Sequence, residues 1–548
     1  MTIVMLGENE ILLRRPRPSV STILAFIALC LSIFLVALDT VFIPTALPYI
    51  SASFLIPDSL YVWVGSAYLL ANGASVPFWG KLSDIFGRKP VIVSADTIFL
   101  AGSLICAVSS SVRMLIAGRV VQGLGGGGVV VMVHVCVSDL FNIRDRSFYL
   151  GAVGAVWAVA SALGPVLGGV FAEHLSWRWC FYINLPIIAA SILTLIATLR
   201  VRTPRTPLLS GLASMDWLGA GTIIAAAAFL LVGLQLGCDS SFTTPMVVIF
   251  LVLGCVLLTA FPLTQWWEER RGREPLLPLR IFKDLSNLSA LSVCACDALA
   301  FNSVAYFVPL YLQIVLEQTP SITGVYMLAI GIPLATISFA SGWVIEKSGR
   351  FLEVLQTGLL LMTVGVGLLV TLGIELDTGK MVAILIVIGL GFGPNFSAPL
   401  IALQTRIQES DIATGTSAFG LVRMISGAIG IVVGQIVFQL LMSKQFDSFV
   451  DAEIPSDVAT RLTRGEAISL EYTIINLAGK QQLAARNGLA SGLRGTWITY
   501  TVVSALGFLV SFGIKRKKLQ RQSVYCDNEL EPTPVEAASA TTQTTATP

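Results

Sequence analysis

Charged residues stand inside stretches that are otherwise apolar, foremost Asp39, Arg119, Asp297 and Arg423. In hydrocarbon each costs about 2.5 to 3.5 kcal/mol on insertion scales, so each calls for a partner and marks a place where function overrides insertion. A carboxylate beside a guanidinium can exchange between an ion-paired and a protonated state as its access to water changes. Asp39 and Arg119 are read as such a pair, the alternative being a static ion pair that holds two helices together. Asp297 and Arg423 form a second candidate pair, and Asp96 is read as facing neighbouring helices. Enzyme chemistry is poorly provided for. The two histidines, His134 and His174, and nine scattered cysteines give no zinc spacing and no disulfide framework, so no metal ligand or catalytic residue is assigned.

The elements that must position these charges are membrane spans. Of 548 residues, 55% are hydrophobic and 12% charged, against about 25% charged in soluble domains. The mean hydropathy of +0.80 indicates lipid as the main solvent. A net charge of +2 leaves no basic surplus for nucleic acid. A span needs about 20 mainly apolar residues. Fourteen such runs occur: 21–46, 60–80, 90–110, 113–138, 147–172, 180–200, 215–235, 245–267, 287–312, 322–345, 354–374, 381–404, 412–441 and 495–514. The first is too long for a signal peptide and reads as an anchor.

Most Lys and Arg fall in alternate loops, while the short loops on the other side hold only Arg113, Arg178 and Lys380. Positive charge stays cytoplasmic, so both termini are expected in the cytoplasm. The segment 1–20 and the tail 516–548, read as disordered, flank the spans, and 442–494 forms one long outer loop. At about 1.5 Å per residue, Asp39 lies roughly 27 Å and Arg119 roughly 21 Å up a 30 Å core, a difference of one turn. Asp297 and Arg423 lie at about 15 and 16 Å, near the midplane.

The chain repeats itself. GKLSDIFGRK begins at Gly80 and GWVIEKSGRF at Gly342, pairing Gly80, Asp84, Gly87 and Arg88 with Gly342, Glu346, Gly349 and Arg350. Both turns follow a span, eight spans apart. Two homologous six-span halves with two spans inserted between them would give that distance, and parallel repeats are the architecture of transporters that rock two bundles about a central site. Asp84 and Arg88 are four apart and could latch one bundle to the other, with solvated turn charges as the plainer reading. The run Gly123 to Gly128 superficially contains a dinucleotide fingerprint, but no strand precedes it, and close helix packing is the expectation.

These residues carry a family resemblance. The Gly80 to Lys89 turn resembles motif A of the major facilitator superfamily, and Arg119 through Gln122 and Gly123 resembles motif B. Gly164, Pro165, Gly168 and Gly169 are similar to motif C of its antiporters. Leu38-Asp39 through Pro48, and Trp177 through Pro186, are similar to motifs of the fourteen-span drug:proton antiporters, especially fungal toxin and multidrug exporters. Pro44 and Ala160 depart from the usual residues of the first motif and of motif C. The resemblance implies an all-α membrane protein of the major facilitator fold. Its parts would be a first six-helix bundle (21–202), two inserted helices with a linker (203–283) and a second bundle (284–515). It also implies that Arg119 takes part in proton coupling.

The expected function is a proton-driven exporter of small organic toxins, drugs or secondary metabolites, working by alternating access. Asp39 and Arg119 would couple the proton. Gln122, Asp297, Asn302, Tyr306, Asn395 and Arg423, with Asn72 and Gln404, would offer the few polar groups of an apolar cavity. A monomer in the plasma membrane, without cofactor other than the proton gradient, is expected; its partners would be substrate, protons and lipid. The rivals are a vacuolar carrier of basic amino acids, which should show several midplane carboxylates, and a nontransporting membrane sensor.

Overall fold

The computed structural model describes residues 18–42, 46, 50, 53–54, 63–201, 215–239, 242–272, 275–277, 279–408, 411–463, 474 and 477–516. Pro44, the segment 1–17, the linker 202–214 and the tail from 517 lie outside the described residues.

The described residues form fourteen long helices and no strand. They are α1 (Val20–Val41), α2 (Trp63–Phe86), α3 (Arg88–Ala107), α4 (Val112–Leu140), α5 (Ile143–Val170), α6 (Asn184–Thr198) and α7 (Trp217–Asp239). Then follow α8 (Pro245–Arg270), α9 (Leu285–Leu310), α10 (Pro320–Ser348), α11 (Phe351–Leu369), α12 (Thr378–Asn395), α13 (Ile412–Ser443) and α14 (Gly479–Ser511). Local signals set their ends. Ser19, Ser111, Thr319 and Asp377 each accept a hydrogen bond from a backbone N–H of the first turn, satisfying donors that a helix start leaves free.

Thirteen of these regions are long and apolar enough to cross a membrane. The other is α2, which buries Asn72, Ser75, Lys81 and Ser83. Its polar residues face protein rather than lipid, so its average apolarity falls although its 24 residues suffice for a crossing. The last helix also differs from its apolar run. It begins at Gly479 instead of 495, because the preceding amphipathic stretch continues the same helix and packs Gly488 against the buried ring of Phe449. Two short helices, Phe446–Asp451 and Ser456–Thr463, fill the loop before it.

In lipid, helices associate by close packing and polar contacts rather than by exclusion of water. The glycine run of α4 does this between α2 and α3. A Cβ at Gly127 would stand 2.4 Å from the Asn72 carbonyl oxygen, and one at Gly125 would stand 2.4 Å from the Phe99 nitrogen. In the first six helices α1 packs on α5 and α6, and α4 on α2 and α3; in the last six α9 packs on α13 and α14, and α12 on α10 and α11. Two seams join these groups, α2 with α13 and α5 with α10. The pair α7 and α8 packs together, with α7 laid on α2 and α13.

Candidate functional site

Asp39 has no exposed surface, two turns beyond the middle of α1. Its Oδ2 accepts hydrogen bonds from Gln122 Nε2 on α4 and Asn184 Nδ2 on α6, both at 2.7 Å. Gln122 also donates to Ser103 Oγ on α3 at 2.8 Å. The other carboxylate oxygen, Oδ1, has no hydrogen-bond partner and stands 4.0 Å from Arg119 Nη1.

Arg119 is held by other atoms. Its Nη1 donates to Gln122 Oε1 at 2.7 Å, its Nε to the Val64 carbonyl at 3.2 Å and its Nη2 to the Asp39 carbonyl at 3.3 Å. The guanidinium lies 4.2 Å from the Tyr68 ring centroid, an attraction between cation and ring quadrupole that strengthens out of water. The structure therefore brings Asp39 and Arg119 together at the edge of ion-pair distance, with Gln122 between them. Gln122, expected to line the cavity, is fully buried in this cluster. Tyr68, Ser103 and the role of Asn184 were not anticipated. Charge balance is incomplete around Oδ1, so a proton added there would meet no competing donor. A carboxylate so placed can change protonation without dismantling its scaffold.

In the second half, Asp297 is buried on α9, and its Oδ1 also lacks a hydrogen-bond partner. Arg423 stacks on Phe396 with 4.0 Å to the ring centroid and points Nη1 at the Phe396 carbonyl, 3.5 Å away. No ion pair within 4.0 Å joins Asp297 and Arg423 among the described residues, although the guanidinium is within electrostatic reach of both Asp297 and His134. Asn302 donates to the Ala298 carbonyl one turn back and lies against Gly427 of α13. Asn395 is buried and donates to the Gly391 carbonyl, while Tyr306 is more exposed. His134 contacts the Val130 carbonyl at 2.7 Å through Nδ1, as a packing histidine would.

At the end carrying the repeated turns the two halves touch. Asp84 Oδ1 pairs with Arg88 at 2.7 Å, while its Oδ2 accepts from Thr414 Oγ1 of α13 at 3.0 Å. Arg88 also reaches Asp139 at 2.6 Å. Gln404 donates to Ser138 and Thr416, both at 3.0 Å, and accepts from Arg146 at 3.0 Å. Its place is thus at this contact. The repeat has a geometric basis: Gly87 and Gly349 adopt φ of 88° and 70°, which side chains disfavour. The first glycine of each copy lies on a seam, Gly80 against Ser417 and Gly342 against Gly151. In the second copy Glu346 lies in the last turn of α10 and Arg350 immediately precedes α11.

Motif C falls on α5, where a Cβ at Gly164 would be 2.5 Å from the Val41 side chain of α1. The helix runs through Pro165 and Gly168 into a wider turn at Phe171–Leu175. Trp177 is buried and donates to Ser53, whereas Trp179 is exposed. The rings of Phe54 and Phe181 lie edge-on to Trp177, and Phe42 lies edge-on to Phe181, so packing there outweighs interfacial anchoring.

A fourteen-helix membrane bundle in two facing groups, with buried charges in each, defines a class of multi-pass membrane transporters. The profile described as Major Facilitator Superfamily matches residues 29–431, and the chain belongs to that superfamily. It is 42% identical to "MFS-type transporter ppz2" of Metarhizium majus, over 90% of this chain and 85% of that protein. It is 40% identical to "Efflux pump dotC" of Dothistroma septosporum (92% and 86% covered) and 33% identical to "Efflux pump FUS6" of Gibberella moniliformis (91% and 88%). Among solved structures it resembles the human organic anion transporter MFSD10, with a TM-score of 0.57 and 16% identity over 91% of this chain and all of that one. It also resembles the proton:xylose symporter XylE, with a TM-score of 0.56 and 14% identity over 92% and 99%. These two likenesses concern the fold. The chain is a transporter, not an enzyme.

Proposed function

We propose that this transporter exports small organic toxins or secondary metabolites, and that inward movement of protons drives the export. The names of the efflux pumps it resembles support the direction and the kind of cargo. The observation that carries the coupling is Asp39: fully buried, with two amide donors on one oxygen and an open second oxygen 4.0 Å from Arg119. Protonation at Oδ1 would neutralise the carboxylate and release Arg119 to its backbone and Tyr68 contacts. Ionisation would restore the attraction. Two such states differ in how strongly α4 holds α1, which is what a population shift between access states needs.

With the repeated turns read as cytoplasmic, the Asp84–Thr414 and Gln404 contacts close the cytosolic side in this conformation. Asp297, Asn302, Phe396 and Arg423 then border the path from the midplane, a setting of aromatic surface and one guanidinium suited to a bulky, mainly apolar compound. The chain would act as a monomer in the plasma membrane.

The test uses pump-deficient yeast expressing the chain or its Asp39→Asn variant. Accumulation of a panel of fungal toxins is measured with and without a protonophore, alongside uptake of labelled lysine into isolated vacuoles. Lower toxin accumulation that the protonophore and Asp39→Asn both abolish is the expected result. Lysine uptake without toxin resistance would overturn the export reading, and fully proton-driven export by Asp39→Asn would overturn the coupling.

A further inference from the structure

Three helices of the first half each carry two polar residues seven positions apart: Ser32 and Asp39 on α1, Asp96 and Ser103 on α3, Asn184 and Ser191 on α6. Seven residues make nearly two turns, so each pair shares a helix face about 10.5 Å apart along the axis. Hydrogen bonds sort the six residues into two layers. Asn184 reaches Asp39 at 2.7 Å and Ser103 at 3.4 Å in one layer. Ser32 joins Asp96 Oδ2 at 3.2 Å and Ser191 Oγ at 2.8 Å in the other. Leu35, Val36, Phe99 and Ile188, none with more than a trace of exposed surface, occupy the intervening turn.

The two layers differ in their proton count. Around Asp39 both donors to the carboxylate are amides, which bring their own hydrogens to Oδ2, and the Arg119 guanidinium stands 4.0 Å from Oδ1. Around Asp96 there are three contacts between oxygens: Asp96 Oδ2 with Ser32 Oγ, Ser32 Oγ with Ser191 Oγ, and Ser191 Oγ with the Ala28 carbonyl at 2.8 Å. Each needs one hydrogen, and the two hydroxyls supply two. A proton on Asp96 would supply the third. The chain would then run in one direction, Asp96 donating to Ser32, Ser32 to Ser191 and Ser191 to the Ala28 carbonyl.

The surroundings agree with that count. Asp96 has no exposed surface, its Oδ1 has no hydrogen-bond partner, and no cation lies within 4.0 Å among the described residues. An ion left unpaired in such a place costs several kcal/mol, which a neutral acid avoids. Of the packed elements, α1 presents Ser32 and α6 presents Ser191, neither titratable, while α4 presents Cys136 as the titratable group within electrostatic reach.

We propose that Asp96, seated on Ser32 and Ser191, is a second proton-binding site of the transport cycle, occupied in this conformation. This rests on proton coupling as the drive. When the proton leaves for water admitted to this layer, the Ser32 hydroxyl turns to donate to the carboxylate and Ser191 turns to donate to Ser32, so the loss is absorbed by two rotations. Asp39 and Asp96 thus give the first half two proton seats two turns apart.

The test is infrared difference spectroscopy of the full chain in lipid nanodiscs, titrated with pH in light and heavy water and without substrate. The wild type should show a carboxylic-acid C=O band that Asp39→Asn leaves, that Asp96→Asn removes, and that fades reversibly as pH rises. Ser32→Ala should shift its frequency and move its titration without removing it, which keeps the test usable if Asp96→Asn fails to fold. A wild-type spectrum without an acid band sensitive to Asp96 or Ser32 would overturn the proposal, and so would a band that persists at every pH the folded protein tolerates. Proton-driven ethidium efflux from vesicles, run in parallel, separates the two readings. Efflux that stays fully proton-driven in Asp39→Asn sinks the coupling at Asp39, whereas the Asp96 band stands or falls by itself.

Discussion

Replacing Thr414 by Val keeps its shape and removes its hydroxyl, whose described partner is Asp84 Oδ2 at 3.0 Å across the α2/α13 seam. A hydrogen bond to a charged group contributes about 1.5 to 3 kcal/mol. Thr414 is 5% exposed and the Asp84 side chain 19% exposed, with Arg88 still bound to the other oxygen. Partial recovery by water at this rim lowers the loss to about 1 to 2 kcal/mol, a factor of roughly 5 to 30 in the balance between closed and open arrangements. The reporter is a cysteine in place of Ser83, fully buried beside the same seam. Its alkylation by a membrane-impermeant maleimide in inside-out vesicles follows the population of the open state. Thr414→Val should speed the reaction by that factor, and Thr414→Ser should leave it near the parent rate. An unchanged rate in Thr414→Val would refute the view that this bond helps hold the halves together.

Asn184→Ala removes one of two donors to the buried Asp39 oxygen, so a loss of about 1.5 to 3 kcal/mol should appear as a lower unfolding temperature in detergent. Gly127→Ala drives a methyl to 2.4 Å from the Asn72 carbonyl; overpacking of about 1 to 3 kcal/mol should reduce both the folded yield and the unfolding temperature. Asp411→Asn weakens the two-pronged contact with Arg280 at 2.7 and 2.8 Å, but the Arg280 side chain is 54% exposed, so the unfolding temperature should fall by no more than a small step, under about 1 kcal/mol.

Long apolar runs carried most of the fold in the sequence, because lipid imposes length and apolarity on every crossing. The helix that strays, α2, hides polar side chains against α4 and so dilutes that signal. The start of α14 was hidden for the opposite reason: its first turns are amphipathic and lie beyond the apolar stretch. Asp39 and Arg119 stood out because charge in an apolar run is costly. Tyr68, Ser103 and Asn184 did not, since single neutral polar residues are common in membrane helices and acquire meaning through their neighbours. The seven-residue spacing shared by α1, α3 and α6 is the signal that could have joined Ser103 and Asn184 to Asp39. Gln404, in an apolar run like the cavity residues, proved to lie between halves, and sequence distance offered no hint of Ser138 and Arg146 beside it.

The inserted pair α7 and α8 lies along only one of the two seams. There Met215, Ala220, Phe261, Leu276 and Leu277 form a common apolar patch with Val76 of α2, Val131 of α4 and Ala413 of α13. Among the described residues the seam between α5 and α10 has no such cover, and its helices meet directly at Gly151 and Gly342. The bundle therefore has a sheathed flank and a bare one. Of the two seams, the bare one is the one whose helices can part without also parting the patch beneath α7 and α8.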